Sequence, residues 1–228
     1  IYPAYCHPAS PTYQQWVRLS VLDFHDLWTN SEFQSQGIFF KQNYPVEFVR
    51  IVAPIVAIED FADRYTVLTL DDGSGDTVNV RITRRSLHDT ITEPRPWNTT
   101  AETNIDVTTS LGTLSVHIDG VALEIGMIIK AKGTISVFRD TKQLDLIRAD
   151  VLHGPDEETK AWEQLAQSRE LLSNPWSLSE ERIQELRDEH ERKKHLEQER
   201  AEAKAKRTRE RKVKKKILQE KQAKKHAQ

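Results

Sequence analysis

The sequence predicts a mainly β fold, a small five-stranded barrel, followed by one helix of ordinary length and one long charged helix. Three observations carry this. All eight glycines lie at or before Gly154 and none follows, while Glu, Lys, Arg, Gln and Ala dominate the rest. Glycine serves turns and weakens helix interiors, so a strand-and-turn half gives way to a helical half. Next, β-branched apolar runs recur before residue 153 at strand lengths. Last, the formal charge of -2 hides three blocks: residues 1–153 carry 13 Lys/Arg against 19 Asp/Glu, residues 154–203 carry 8 against 14, and residues 204–228 carry 12 against 2. Only the extreme tail is basic.

The 228 residues suffice for one ordinary domain with an extension, and 37% apolar against 30% charged is lean for a core along the whole length. A start at Ile1 rather than Met suggests a fragment or processed product. Cys6 is the single cysteine, which excludes an intrachain disulfide and a cysteine zinc site and fits a reducing, intracellular compartment. The longest apolar run, Ile51–Ile58, falls far short of the roughly 20 residues that span a bilayer, and no signal-peptide pattern opens the chain. A soluble protein without a membrane partner is expected.

Along the chain, residues 1–15 with Pro3, Pro8 and Pro11 read as an irregular arm. Ser20 is placed to cap a short amphipathic helix reaching about Asn30. "VEFVRIVAPIVAIE", Val46 to Glu59, is too β-branched for a surface helix and reads as a long buried strand. Pro54 inside it cannot donate a ladder hydrogen bond, so the strand must there be an edge, bulged or bent. Tyr65–Leu70 and Thr77–Ile82 alternate around Asp-Asp-Gly-Ser-Gly-Asp. A calcium loop counted from Asp71 would need Glu where Ile82 stands, and a phosphate loop would need Lys-Ser/Thr before a helix, so the knot reads as a hairpin turn using Gly73 and Gly75.

Residues 83–104, with Pro94 and Pro96, form a polar connection, and "NIDVTTSLGTLSVHIDG" a further hairpin about Gly112. Met127–Phe138 and Gln143–Leu152 give two closing strands joined by a turn at Arg139 to Lys142, with Gly133 marking a bend. Pro155 opens a helix whose first turn is acidic, as the macrodipole favours, and Asn174-Pro175 ends it. A second helix starts near Ser177 with Glu180 completing a capping box and runs to about residue 225, roughly 70 Å at about 1.5 Å per residue. Its apolar stripe stops after Leu178, Ile183 and Leu186, so a long coiled coil is not expected. Charge pairs at i,i+4, such as Asp188 with Arg192, Glu189 with Lys193, Glu202 with Lys206 and Glu210 with Lys214, support a solvated helix.

A long bent strand, a hairpin, an elaborated connection and two closing strands match the strand count of an OB barrel, among other small barrels. "FVRIVAPIVAIEDF" with "YTVLTLDDGSG" and "GMIIKAKGTISVFRDTKQLDLIRADVL" resembles the N-terminal OB domain of the Stn-type subunit of CST, a telomere-capping complex built like replication protein A. "GIFFKQNYPVEFVRI" is similar to fungal members of that family. Where the family often has Gly in the first strand, this chain has Ala53 and Pro54, and the winged-helix domains of some relatives give way to the basic helix. The resulting organisation is an arm and short helix at 1–36, an OB barrel at 37–153, a partner-docking helix at 154–174 and a charged helix with basic tail at 175–228.

The eight histidines are scattered without metal-ligand spacing or a nucleophile beside them, so neither an enzyme nor a cofactor is expected. Single-strand binding needs rings for bases and cations for phosphates. Lys130, Lys132 and Phe138 alternate onto one face with Tyr65, Arg81 and Arg139 in reach, although the lysines would equally serve to solvate the barrel. The acidic balance of residues 1–153 predicts weak DNA affinity without a partner. Trp162, Leu165, Ala166, Arg169 and Leu172 share a helical stripe that either caps its own barrel or, as the resemblance implies, docks a small OB-fold Ten-type subunit. Arg211, Lys212, Lys214, Lys215 and Lys216 in the tail suit phosphate contact, nuclear import or plain solvation.

The resemblance implies a nuclear, telomeric protein that acts with the Ten-type subunit and a large CST subunit on single-stranded telomeric DNA. The middle subunit of replication protein A, and a helical adaptor with no nucleic-acid role, are the rivals.

Overall fold

The computed structural model describes residues 1–61, 64–85, 100–110 and 113–226. They form two compact units, one of Ile1 and His7–Trp176, the other of Tyr2–Cys6 with the chain from Ser177 onward.

In the larger unit, β1 (Trp16–Arg18) leads into α1 (Val21–His25) and α2 (Ser31–Gln34). The sequence reading missed β1, three residues that add in parallel to the edge of the barrel through Trp16↔Phe48 and Arg18↔Arg50. The helix expected from Ser20 to Asn30 ends at His25, and a separate short helix begins only at Ser31. Ser20 caps α1, its Oγ accepting from the Asp23 N–H at 3.1 Å, and Asn30 caps α2. The arm is likewise not irregular throughout, since a 3-10 helix spans Ala4–Ala9.

A hairpin of β2 (Phe39–Lys41) and β3 (Tyr44–Val46) precedes the long strand β4 (Phe48–Phe61). The hairpin β5 (Tyr65–Asp71) and β6 (Thr77–Thr83) follows, then β7 (Ile105–Ser110), β8 (Thr113–Ile118) and β9 (Val121–Ala122) in a small sheet of their own. Much of the polar connection, 86–99 with Pro94 and Pro96, and the hairpin tip at Gly112 lie outside the described residues. β10 (Ile128–Phe138) and β11 (Thr141–Val151) complete the β structure. Their turn is tighter than expected, only Arg139 and Asp140, both at positive φ, as a two-residue hairpin matching strand twist requires.

The barrel closes through β4–β10–β11–β6–β5 and back to β4, its last seam being a parallel pairing of β6 with β11 at Leu144↔Val80 and Asp145↔Arg81. β4 serves both sides. Residues up to Pro54 pair with β10 and those from Ile55 pair with β5, with a bulge between Ile55 and Ala57. Pro54 therefore stands where the strand changes partners, and its missing donor costs the ladder little. Inward residues, among them Val49, Ile51, Ile55, Leu68, Val80, Ile129 and Leu144, are buried. β10 and β11 shift register at Lys132/Gly133, where a Cβ on Gly133 would fall on the Asp145 carbonyl oxygen. Glycine is needed there for close approach rather than for an unusual φ.

The Asp-Asp-Gly-Ser-Gly-Asp stretch is a turn, with Gly73 and Gly75 at positive φ. It also caps a helix, because Asp72 Oδ2 accepts from Val21 N–H at 2.9 Å and Ser74 Oγ from Leu22 N–H at 3.0 Å. Two orphan donors of α1 are satisfied this way.

α3 (Pro155–Leu172) follows with Pro155 in its first turn. Its carboxyl end is held by the β2–β3 hairpin, where Tyr44 Oη donates to Leu171 C=O at 3.0 Å and Gln42 Nε2 to Ser173 C=O at 2.7 Å. Trp176 exchanges three hydrogen bonds with Asn43.

In the smaller unit, α4 (Glu180–His226) is capped by Ser179, whose Oγ accepts from Arg182 N–H at 3.3 Å. Glu180 is thus the first helical residue and not the third of a capping box. Tyr5 Oη accepts from Arg187 Nε at 3.4 Å, and its ring stacks on His190 with centroids 5.6 Å apart. Arg182 pairs with Glu185 and Gln184 with Asp188, while the side chains of Glu202, Lys206, Glu210 and Lys214 lie outside the described residues.

Candidate nucleic-acid and partner interfaces

Strand parity places Phe61, Tyr65 and Arg81 on the outward face of β4, β5 and β6, and the β10–β11 hairpin brings Phe138 to the same edge. Together with Glu59, Val67, Asn79 and Gln143 they line a groove of about 220 Å³. Phe138 is 58% exposed and Phe61 is 50% exposed. Bulky rings left in water on a barrel face cost hydrophobic free energy unless something covers them.

The cations beside these rings are arranged differently from each other. Arg81 lies 5.1 Å from the Tyr65 ring centroid and its Nη2 donates to Asp145 Oδ2 at 2.6 Å. Asp145 also accepts from Ser136 Oγ at 2.8 Å. Arg81 thus brings little net charge, and its work is to hold Tyr65 across the β6–β11 seam. Arg139, in the turn, lies 5.2 Å from the Phe138 centroid and forms no ion pair among the described residues.

Lys130 and Lys132 are not in the groove. They lie farther back along β10, both on Asp150, with Nζ at 3.3 and 3.5 Å from Oδ2. Burial opposes ionisation of Asp150, but Lys130, Lys132 and Arg148 outweigh it and hold its carboxyl below the ordinary range. The expected single site is therefore two surfaces.

Phe61, Asn79 and Gln143 were missed in the sequence. The signal for Phe61 was available, since it ends the long strand one turn before Tyr65 and pairs with it directly. Gln143 and Asn79 carry no such signal.

On α3 the stripe divides. Leu172 is 4% exposed and turned to its own barrel, Leu165 is half-buried beside Arg18 and Leu19, and Arg169 donates through Nε to Asp23 Oδ2 at 2.9 Å. Asp23 also takes Lys41 Nζ at 2.9 Å. These three residues fix the helix, correcting the expectation that the whole stripe meets a partner. Trp162, 62% exposed, and Ala166 face outward. Trp162 borders a groove of about 380 Å³ with Pro54, Val56, Ile128 and Asp72.

Arg211, Lys212, Lys214, Lys215 and Lys216 lie on α4, and their side chains are outside the described residues. Among the described residues no group of three or more His, Cys, Asp or Glu is placed to hold a metal ion, and no helix is long and apolar enough to cross a membrane.

A five-stranded barrel with this strand order, a ring-lined outer face and a helix packed behind its last strand defines an OB-fold binding protein. The chain belongs to the family described as telomere regulation protein Stn1, whose model matches residues 103–227, more than half of it. Among solved structures, that of yeast Stn1 and Ten1 is similar with a TM-score of 0.57 and 14% identity over 82% of this chain and 90% of that one, which shows a common fold. The S. pombe Stn1–Ten1 complex gives a TM-score of 0.49 and 21% identity over 69% and 93%. A replication protein A heterotrimer bound to single-stranded DNA gives 0.38 and 11% over 59% and 80%. No curated protein matches the sequence.

Proposed function

We propose that the protein is a subunit of a CST-type telomere-capping complex that docks a small Ten-type OB protein on α3 and, with it, holds single-stranded telomeric DNA in the groove of Phe61, Tyr65 and Phe138. The working parts are then the arm at 1–36, the barrel at 37–153, the docking helix at 154–174 and the charged helix at 175–228. A large CST subunit would complete the assembly at telomeres in the nucleus. The reading assigns no catalytic step and no cofactor.

The observation that carries it is Trp162, an indole 62% exposed at the middle of a helix that turns Ala161, Leu165 and Leu172 inward. Large aromatic residues that become buried only on association are the usual anchors of interfaces. The family to which the chain belongs supports a telomeric role, and the yeast fold relative is a structure of Stn1 with Ten1.

The groove supplies stacking but little free charge, since Arg81 is paired with Asp145. Residues 1–153 carry 13 basic against 19 acidic side chains, so phosphates meet a net repulsive field and affinity should depend on the partner. The basic tail, 204–228, contributes phosphate contacts of its own.

The test is co-purification of the full chain with the Ten-type subunit of its source, beside Trp162→Ala. A stoichiometric small OB protein, weakened about 30-fold or more in the variant, is expected for an anchor worth at least about 2 kcal/mol. Equal binding by both proteins would remove α3 from the interface.

A further inference from the structure

Asp150 on β11 has three cations converging on it: Lys130 at 3.3 Å, Lys132 at 3.5 Å and Arg148 at 3.3 Å. Register places Arg50 of β4 opposite Lys132 on the same outward face, with Arg18 of β1 opposite Arg50. One carboxylate can neutralise one of these charges. Arg50 is half-buried, donates through Nη2 to Gln164 at 2.8 Å, and has its Nε enclosed without a hydrogen bond. A cluster this repulsive inside an acidic barrel region destabilises the free protein and marks a surface awaiting an anion.

The cluster opens onto a groove of about 330 Å³ that α3 borders with Glu157, Lys160 and Gln164, so that one further carboxylate faces the four cations. Trp162 lies on the opposite flank of α3, against Pro54 and Val56. Trp162 also borders a small pocket with Arg18 and Arg50, so a protein docked on it approaches those two and leaves Lys130, Lys132 and Arg148 open. Two rings stand at the cluster's margin, Trp16 and Phe48, 5.2 Å apart and edge to face, each half-exposed, with Phe48 two residues from Arg50 on the same side.

We propose that Arg50, Lys130, Lys132 and Arg148, with Trp16 and Phe48, form a second contact for single-stranded nucleic acid, continuing the strand's path out of the groove at Phe138. This rests on the single-strand reading above. Lys132 is six residues from Phe138 along β10, about 20 Å at about 3.3 Å per residue, a span within the roughly 4–16 nucleotides that one OB fold covers. Cations with adjacent rings suit a phosphate chain bearing bases, whereas an acidic polypeptide would use only the cations. The short contact also explains why the lysines lie apart from the groove. They meet a later stretch of the same strand.

The experiment compares the full chain with a Lys130→Gln, Lys132→Gln, Arg148→Gln variant. Anisotropy is read against mixed-sequence single strands of about 6 and about 24 nucleotides, bracketing the groove alone and groove plus patch. With the long strand the salt slope should become shallower by about 2, at about 0.7 per phosphate released, and low-salt affinity should fall roughly tenfold. With the short strand neither should change. In the unaltered chain, the long strand and not the short one should protect Lys130 and Lys132 from acetylation.

An unchanged slope with the long strand, while Tyr65→Ala weakens both strands, overturns the patch and leaves the groove standing. Absence of binding to either strand overturns both. Polyglutamate binding that the triple variant loses, with the DNA slope intact, overturns it in favour of an acidic protein partner.

Discussion

The ring-lined groove and the α3 ridge both leave large aromatic side chains in water, yet they are built for different occupants. In the groove, rings come with polar companions: Arg81 lies over Tyr65, Arg139 over Phe138, and Asn79 and Gln143 share the floor. On the ridge, Trp162 has Pro54, Val56 and Ile128 for neighbours, with the carboxylates of Asp71, Asp72 and Glu158 at the edge of that groove and no cation among the described residues lining it. A wet, mixed surface suits bases that stack while their phosphates stay solvated. A ring among apolar side chains with acids and no cations at its edge repels phosphates and suits a protein partner. The same residue class does two jobs because the backbone sets it beside arginines in one place and beside apolar strand residues and carboxylates in the other.

The largest expected effect erases the comparison by removing both surfaces. Gly133→Ala drives a Cβ onto the Asp145 carbonyl, in the strand whose Asp145 side chain holds Arg81. The β10–β11 pairing must part or shift, at about 3 kcal/mol, the upper end for overpacking. Urea unfolding should show the loss directly, and binding of both DNA and partner should fall in proportion to the unfolded fraction.

A smaller effect separates the surfaces. Phe61→Ala and Tyr65→Ala should each weaken single-strand binding by about 1–3 kcal/mol, the worth of one base on one ring, with partner affinity unchanged. Titration calorimetry on both ligands reads the two numbers side by side. A matched loss for the partner would mean that groove and ridge are one continuous interface.

The barrel was legible because its strands are long and its turns chemically explicit. Pro54 announced a discontinuity and the Asp-Asp-Gly-Ser-Gly-Asp run a turn, each for a reason local to the sequence, while Gly133, expected to mark a bend, serves a close approach to Asp145. What the sequence could not show depends on contacts far apart along the chain. β1 is three residues with meaning only beside Phe48. Asp72 and Ser74 cap a helix fifty residues upstream. Lys130 and Phe138 share strand parity, which suggested a single site, but parity fixes the face and not the distance along it. On α3 the helical stripe was visible, while which of its members turn inward was decided by Asp23 and the β2–β3 hairpin.

Asp23 offers the smallest and most selective test, because it fixes α3 without touching the groove. Burial works against its ionisation, but hydrogen bonds from Ser20 and Lys41 and the charges of Lys41 and Arg169 prevail, so its carboxyl lies below the ordinary value near 3.8. A carboxylate depressed in the folded state stabilises above the unfolded value, and that contribution fades as pH falls through the folded value, in the window below about pH 4. Asp23→Asn should therefore cost about 1–2 kcal/mol at pH 7, discounted for the exposure of Arg169. The gap between variant and parent should be smaller at about pH 3 than at pH 7. Urea midpoints at the two pH values measure it, and an equal gap at both would show that the charge on Asp23 does not hold the helix. At neutral pH the variant should weaken the partner a few-fold, through a looser α3, and leave short single strands bound as before. Loss of both together would mean that the ridge and the groove are coupled through the barrel and are not the two independent surfaces their geometry describes.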